Sequence, residues 1–221
     1  MGTGDRGEPG YVRPIRSFIA IELEGGARPA VERLVASLAR TDADVAWTRP
    51  ENLHVTLKFL GAVPPARLRA LGERLRAVAA GTPPFVLTVA GLGAFPSLRS
   101  PRVLWVGTVA PELEGLVDGI ERACAAEGFA RESRPFHAHV TLGRVRAGRD
   151  PRRRRTAARA HGAGLPAGVA ELFGDGSRAF GDSRVEEIVL LRSDLRPDGA
   201  RYTPLLRVHL GARGGALTPL P

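Results

Sequence analysis

A chain of 221 residues, 43% hydrophobic and 25% charged, lies in the ordinary globular range and is long enough to bury a core as one large domain or two small lobes. No stretch approaches the roughly 20 apolar residues of a membrane span. The N-terminal MGTGDRGEPGYVRP has no apolar core to serve as a secretory signal, and the single Cys124 excludes an internal disulfide, so a cytoplasmic protein is expected.

Residues 1–14 read as a flexible polar tail. RSFIAIEL (16–23) has the apolar and β-branched content of a buried strand. Pro29 then opens a helix in which Val31, Leu34, Val35 and Leu38 recur at i, i+3, i+4 and i+7. DVAWT (44–48) and LHVTLKFLG (53–61) are strands joined by a turn at RPEN, and a helix from Pro65 buries Leu68, Leu71, Leu75 and Val78. FVLTVAGLGAF (85–95) and RVLWVGTV (102–109) form a strand pair around PSLRSP. The helix over 111–128 carries Leu116, Ile120 and Cys124 on its apolar face and stops at Gly128. HVTLGRVR (139–146) is the next strand. Residues 147–183 lose periodicity and read as a loose insertion with a partial helix, containing the arginine run Arg152–Arg155. VEEIVLLRSDL (185–195) and RYTPLLRVHL (201–210) close the fold as a hairpin, and 211–221 is a second tail. Strands that follow one another directly or after one helix predict an α+β fold with largely antiparallel sheet. Two similar lobes then face one another across a central cleft, in a single bilobal domain over 15–210.

The tetrapeptide HVTL occurs twice, at 54–57 and 139–142, and it begins with two of only five histidines. A second histidine followed by VTL arises by chance in roughly one chain in several hundred. Strand alternation puts His54, Thr56 and Lys58 on one face and Val55, Leu57 and Phe59 on the other. In the second copy His139, Thr141 and Gly143 share a face, opposite Val140 and Leu142. Gly143 would let a ligand or backbone come close, and Arg144 joins His139 only if a bulge or strand end re-aims it. Two imidazoles across a cleft form an acid–base pair near neutral pH, with the threonine hydroxyls and Lys58 placed to hold a phosphate between them.

Competing readings are weaker. His137-x-His139 has usable metal-ligand spacing, but no HExxH, cysteine cluster or carboxylate motif accompanies it. His161 and His209 have no motif around them, and Cys124 sits on an apolar helix face. No Gly-rich phosphate loop or nucleophile elbow occurs. The net charge of +9 gives mild support for a polyanionic partner, since the near-total use of Arg over Lys reads as coding bias but does not create the basic excess. Arg152–Arg155 reads as a solvated run rather than a specific site, with salt-sensitive RNA affinity as the alternative.

These motifs resemble the two-histidine phosphoesterase superfamily, and within it the RNA 2′,3′-cyclic phosphodiesterases, also called 2′-5′ RNA ligases. IRSFIAIEL, WTRPENLHVTLKFLG, FPSLRSPRVLWVGT, RPFHAHVTLGRVR and LLRSDLRPDGARYTPL carry the likeness in order over 15 to about 210. The resemblance implies a two-lobed α+β fold around a basic cleft. It also implies opening of a 2′,3′-cyclic phosphate to a 2′-phosphate without metal or cofactor, with some relatives joining 2′-5′ linkages. It assigns His54 as proton donor to the leaving oxygen, His139 as the base that activates water, and Thr56 and Thr141 as phosphate contacts. Arg134 and Phe136 become phosphate and base-stacking contacts. The expected partner is RNA with cyclic phosphate ends, met by a monomer with no protein partner implied. The alternatives are an RNA-end-binding module without turnover, or a superfamily enzyme for another cyclic phosphate or 2′-5′ oligonucleotide.

Overall fold

The computed structural model describes residues 13–146, 165–174, 176–197 and 199–211. Its elements in chain order begin with β1 (Ile15–Glu22), α1 (Ala27–Leu38), β2 (Val45–Trp47), a 3-10 turn (Pro50–Asn52) and β3 (His54–Val63). They continue with α2 (Pro65–Ala80), β4 (Phe85–Phe95), β5 (Val103–Val109), α3 (Glu112–Ala126) and β6 (His139–Val145). The chain closes with α4 (Ala167–Gly174), β7 (Ala179–Val185), β8 (Glu187–Arg196) and β9 (Gly199–His209).

Eight strands run in the order β7-β4-β5-β6-β3-β1-β8-β9, and β2 adds to β6. Every pairing is antiparallel. The order reads symmetrically outward from the β6–β3 seam, four strands to each side, which gives the two expected lobes as halves of one continuous sheet. β1–α1–β3, with β2 and the 3-10 turn between its helix and second strand, and β5–α3–β6 are related strand–helix–strand units, each delivering one HVTL strand to the seam.

The helices bury their apolar stripes against one face. Val31, Leu34, Val35 and Leu38 of α1 are buried, as are Leu68, Leu71 and Leu75 of α2 and Leu116, Ile120 and Cys124 of α3. α1 begins two residues before Pro29, which its first turn tolerates because that N–H has no helical partner. α3 ends before Gly128, whose φ of 75° is the left-handed stop its sequence implied. Each fully buried Leu or Ile contributes about 1.5–3 kcal/mol from burial alone, so this layer fixes the sheet's curvature and the motif strands with it. On the opposite face a small cluster of Phe18, Ala20, Val189 and Leu191 packs with Tyr202.

The stretch over 147–183 is not loose throughout. Its described residues hold α4 and most of β7, which pairs with β4 from Phe85↔Val185 to Ala90↔Ala179. Alternation in AFGDSRV is interrupted at Gly181 (φ 100°), so its buried residues Phe180, Ser183 and Val185 do not follow a period of two. Arg152–Arg155 and His161 lie outside the described residues, as do 1–12 and 212–221 of the two tails. No helix among the described residues is long and apolar enough to cross a membrane.

Candidate active site

At the seam Val55 and Val140 are direct partners and completely buried. With Leu57 and Leu142 they pin both strands to the helix-covered core, which leaves His54, Thr56, His139 and Thr141 half-buried on the other face. The antiparallel register around Val55↔Val140 sets His54 across from Thr141 and His139 across from Thr56. The two H-x-T motifs therefore lie head to tail about a local two-fold axis.

Both imidazoles are oriented by the same device. His54 Nδ1–H donates to the Asn52 carbonyl (2.8 Å), and His139 Nδ1–H donates to the His137 carbonyl (2.7 Å). A carbonyl only accepts, so each neutral ring carries its proton on Nδ1 and leaves Nε2 as the free base. His54 Nε2 lies 3.1 Å from Thr56 Oγ1. Asn52 is itself tied to β9 through Nδ2, which donates to the Ala200 carbonyl (2.8 Å).

Aromatic rings frame each histidine. Phe18 and Tyr202 sit 4.9 Å and 5.3 Å from the His54 ring. Phe95, His137 and Trp105 lie 5.0, 6.0 and 6.3 Å from the His139 ring. Trp105 lies over Gly93, where an added Cβ would come within 2.3 Å of the indole, so the glycine makes room for the ring. Burial lowers the His54 pKa to about 4, with the Asn52 carbonyl and Glu22 raising it and His139 lowering it. His139 is also lowered, chiefly by burial, with the His137 carbonyl opposing and the His137 and Arg144 charges adding to the shift.

Strict alternation fails beyond the threonines, because each motif strand bulges at its leucine. On β3, Ile19 pairs with Lys58 while Ala20 pairs with Thr56, so Leu57 is the extra residue. On β6, Leu104 pairs with Gly143 while Trp105 pairs with Thr141, so Leu142 is the extra residue. Lys58 consequently leaves the face of His54 and turns toward the core, 7% exposed, where its Nζ meets Glu121 Oε1 at 2.7 Å. Phe59, expected in the core, instead stands 64% exposed on the cleft face, 6.0 Å from Phe18. The second bulge brings Arg144 round to the side of His139 and Thr141. There its charge acts on both His139 and Tyr202. Gly143 turns inward, and the neighbour it admits is β2: a Cβ would stand 2.5 Å from Val45 Cγ1 and 2.8 Å from Trp47 Cε3.

Arg134 and Phe136 sit on the exposed segment between α3 and β6. They line a cleft cavity of about 580 Å³ together with Thr56, Phe59, Phe95 and His139. Phe18, Phe59, Phe95, Trp105 and Tyr202 escaped the sequence reading as site residues. Tyr202 was within reach of it, as the aromatic of the closing hairpin. His209 stands apart on β9, 3.9 Å from Glu187. Burial raises the Cys124 thiol to about 12, which makes it an inert core residue. Among the described residues no group of three His, Cys, Asp or Glu side chains has the arrangement of a metal site.

The family model for LigT-like phosphoesterases matches this sequence twice in succession, over residues 21–105 and 106–202, one match for each HVTL strand. The chain belongs to the LigT-like phosphoesterase family. It is 36% identical over 193 residues to the RNA 2′,3′-cyclic phosphodiesterase of Methanothermobacter thermautotrophicus, covering 86% of this chain and 96% of that protein. To the Aeropyrum pernix protein of the same name it is 35% identical, over 82% of this chain and 96% of the relative. Among solved structures, E. coli LigT bound to 3′-AMP superposes with a TM-score of 0.66 at 28% identity, over 89% of this chain and 98% of that one. The two-fold match in sequence mirrors the symmetry of the sheet.

Proposed function

We propose that this protein hydrolyses RNA 2′,3′-cyclic phosphate ends to 2′-phosphomonoesters, with His54 and His139 as its acid–base pair. The observation that carries this reading is the pair of H-x-T strands lying head to tail at the seam, each imidazole anchored through Nδ1 so that Nε2 is its unprotonated nitrogen. The relatives named RNA 2′,3′-cyclic phosphodiesterase, at 35–36% identity over most of the chain, support it.

In the proposed reaction, His139 Nε2 takes a proton from water as its oxygen attacks phosphorus opposite O3′. The P–O3′ bond breaks, and protonated His54 delivers its Nε2 proton to O3′, leaving a 2′-phosphate and a free 3′-hydroxyl. The Thr56 and Thr141 hydroxyls donate to the non-bridging oxygens as charge builds there, and Arg144 adds positive potential. Burial keeps His54 neutral at pH 7 in the free protein. The anionic phosphate docking between the rings supplies the countercharge that raises its proton affinity when the donor is needed. With a 5′-hydroxyl in place of water, the same steps form a 2′-5′ phosphodiester and free O3′, which is the route to 2′-5′ ligation; run backwards, with the two histidines exchanging roles, they cleave that linkage to the cyclic phosphate. The reading extends to a cytoplasmic monomer that needs no cofactor.

Turnover of nucleoside 2′,3′-cyclic phosphates and cyclic-ended RNA in EDTA, with product analysis for the 2′-phosphate, tests this directly. His54→Ala and His139→Ala should each lower kcat/KM by about 10²–10⁴-fold. Parental rates in both variants, or exclusive formation of a 3′-phosphate, refute it.

A further inference from the structure

Lys58 is the chain's only lysine among 32 basic residues, and it is buried. Its ammonium donates to Glu121 Oε1 on α3 (2.7 Å) and to the Ala130 carbonyl (2.9 Å). The other oxygen of Glu121, a residue itself only 8% exposed, accepts the Glu132 N–H (3.4 Å). Glu132 Oε1 in turn accepts the N–H groups of Ser133 (3.1 Å) and Arg134 (3.4 Å). The chain of contacts thus starts four residues after His54. It crosses α3 and runs into the segment that presents Arg134, Phe136 and the His137 carbonyl to the cleft.

A buried ion pair is a poor source of net stability, because desolvating both charges cancels most of their attraction, and apolar residues of like volume often serve as well. What apolar residues cannot supply is a donor for the Ala130 carbonyl and an acceptor for the Glu132 N–H. The choice of lysine points the same way. A compact ammonium reaches acceptors on two sides of a closed slot, whereas a planar guanidinium demands a flat, wider one.

We propose that the Lys58–Glu121 pair is a latch: two positioning residues that hold residues 130–138 in place and so tie the first H-x-T strand to the carbonyl that orients His139. The latch rests on the catalytic reading above; both residues also border the cleft cavity, and they act by holding the segment.

The test is the double substitution Lys58→Met/Glu121→Leu, which replaces the pair with apolar residues and removes both backbone partners. Amide hydrogen exchange over 130–138 should accelerate at least tenfold. kcat/KM on a nucleoside 2′,3′-cyclic phosphate should fall at least tenfold, with KM rising through Arg134 and Phe136 and kcat falling through His139. Glu121→Gln, whose single carbonyl oxygen can serve the ammonium but leaves an NH2 facing the Glu132 N–H, should loosen the same segment by less than the double variant does. Should the double variant not fold, Lys58→Arg keeps the charge but not the shape and should loosen the same segment. Parental kinetics, or parental exchange over 130–138, in a folded latch variant overturns the proposal. The exchange arm needs no turnover, so a failed latch and a failed catalytic reading give different results.

Discussion

The two HVTL strands make a natural comparison, since one tetrapeptide is used twice in one sheet. Their shared features are those the tetrapeptide and its backbone dictate: apolar Val and Leu toward the core, Nδ1 bonded to the carbonyl two residues upstream, and a bulge at the leucine. Their differences begin where the sequences diverge. The bulge delivers Phe59 to the cleft on one side and Arg144 on the other, while the residue it turns inward is Lys58 in one copy and Gly143 in the other. The same backbone device therefore builds an aromatic flank and a cationic flank. A symmetric scaffold becomes an asymmetric site through residues four and five positions beyond each histidine, with the histidines themselves unchanged.

If the scaffold is shared in function as well as shape, Thr56→Val and Thr141→Val should each cost about 10²–10³-fold in kcat, the usual value of one donor at developing charge. Near-equal losses by steady-state kinetics support equivalence. A loss confined to one side breaks it. The flanks should separate more gently. Phe59→Ala should raise KM for cyclic-ended RNA roughly tenfold with the salt dependence unchanged, as loss of a stacking surface does. Arg144→Met should weaken binding by a similar factor while reducing the slope of log K against log salt by about one. Titrations at several ionic strengths tell the two apart.

The smallest effect concerns the unequal burial of the rings. His54 has a folded-state pKa of about 4 against an ordinary 6.5, so the unfolded chain binds its proton first as pH falls. Its contribution to stability is complete above pH 6.5 and is lost on acidification toward pH 4, up to about 3 kcal/mol. Between pH 7 and 4.5 the melting temperature of the parent should therefore drop by roughly 5 °C more than that of His54→Asn. An identical drop in both would show that this ring is not the group held neutral.

Most of this architecture was legible from residue patterns. The stripes of α1, α2 and α3 announced themselves because a helix repeats every 3.6 residues without interruption, and the repeated HVTL singled out the two strands that meet at the seam before any topology was known. Lys58 and Phe59 were assigned to the wrong faces because a bulge is a property of two strands in register, and neither strand alone encodes it. β7 was missed for a related reason, as its break at Gly181 destroys the alternation a strand is recognised by. The framing rings Phe18, Phe95, Trp105 and Tyr202 come from four different strands, so only the sheet order brings them together. That order is set by the packing of helices on the far face.

The anchoring of both rings by main-chain oxygens has one more consequence. Every amino acid at positions 52 and 137 carries the same carbonyl, so the tautomer of each imidazole is indifferent to the identity of its anchor. Drift at those two sites can alter the cleft's lining and the turn's attachment to β9 while the proton stays on Nδ1. The protonation pattern is thus set by chain geometry, and the side chains at those two positions can change without resetting it.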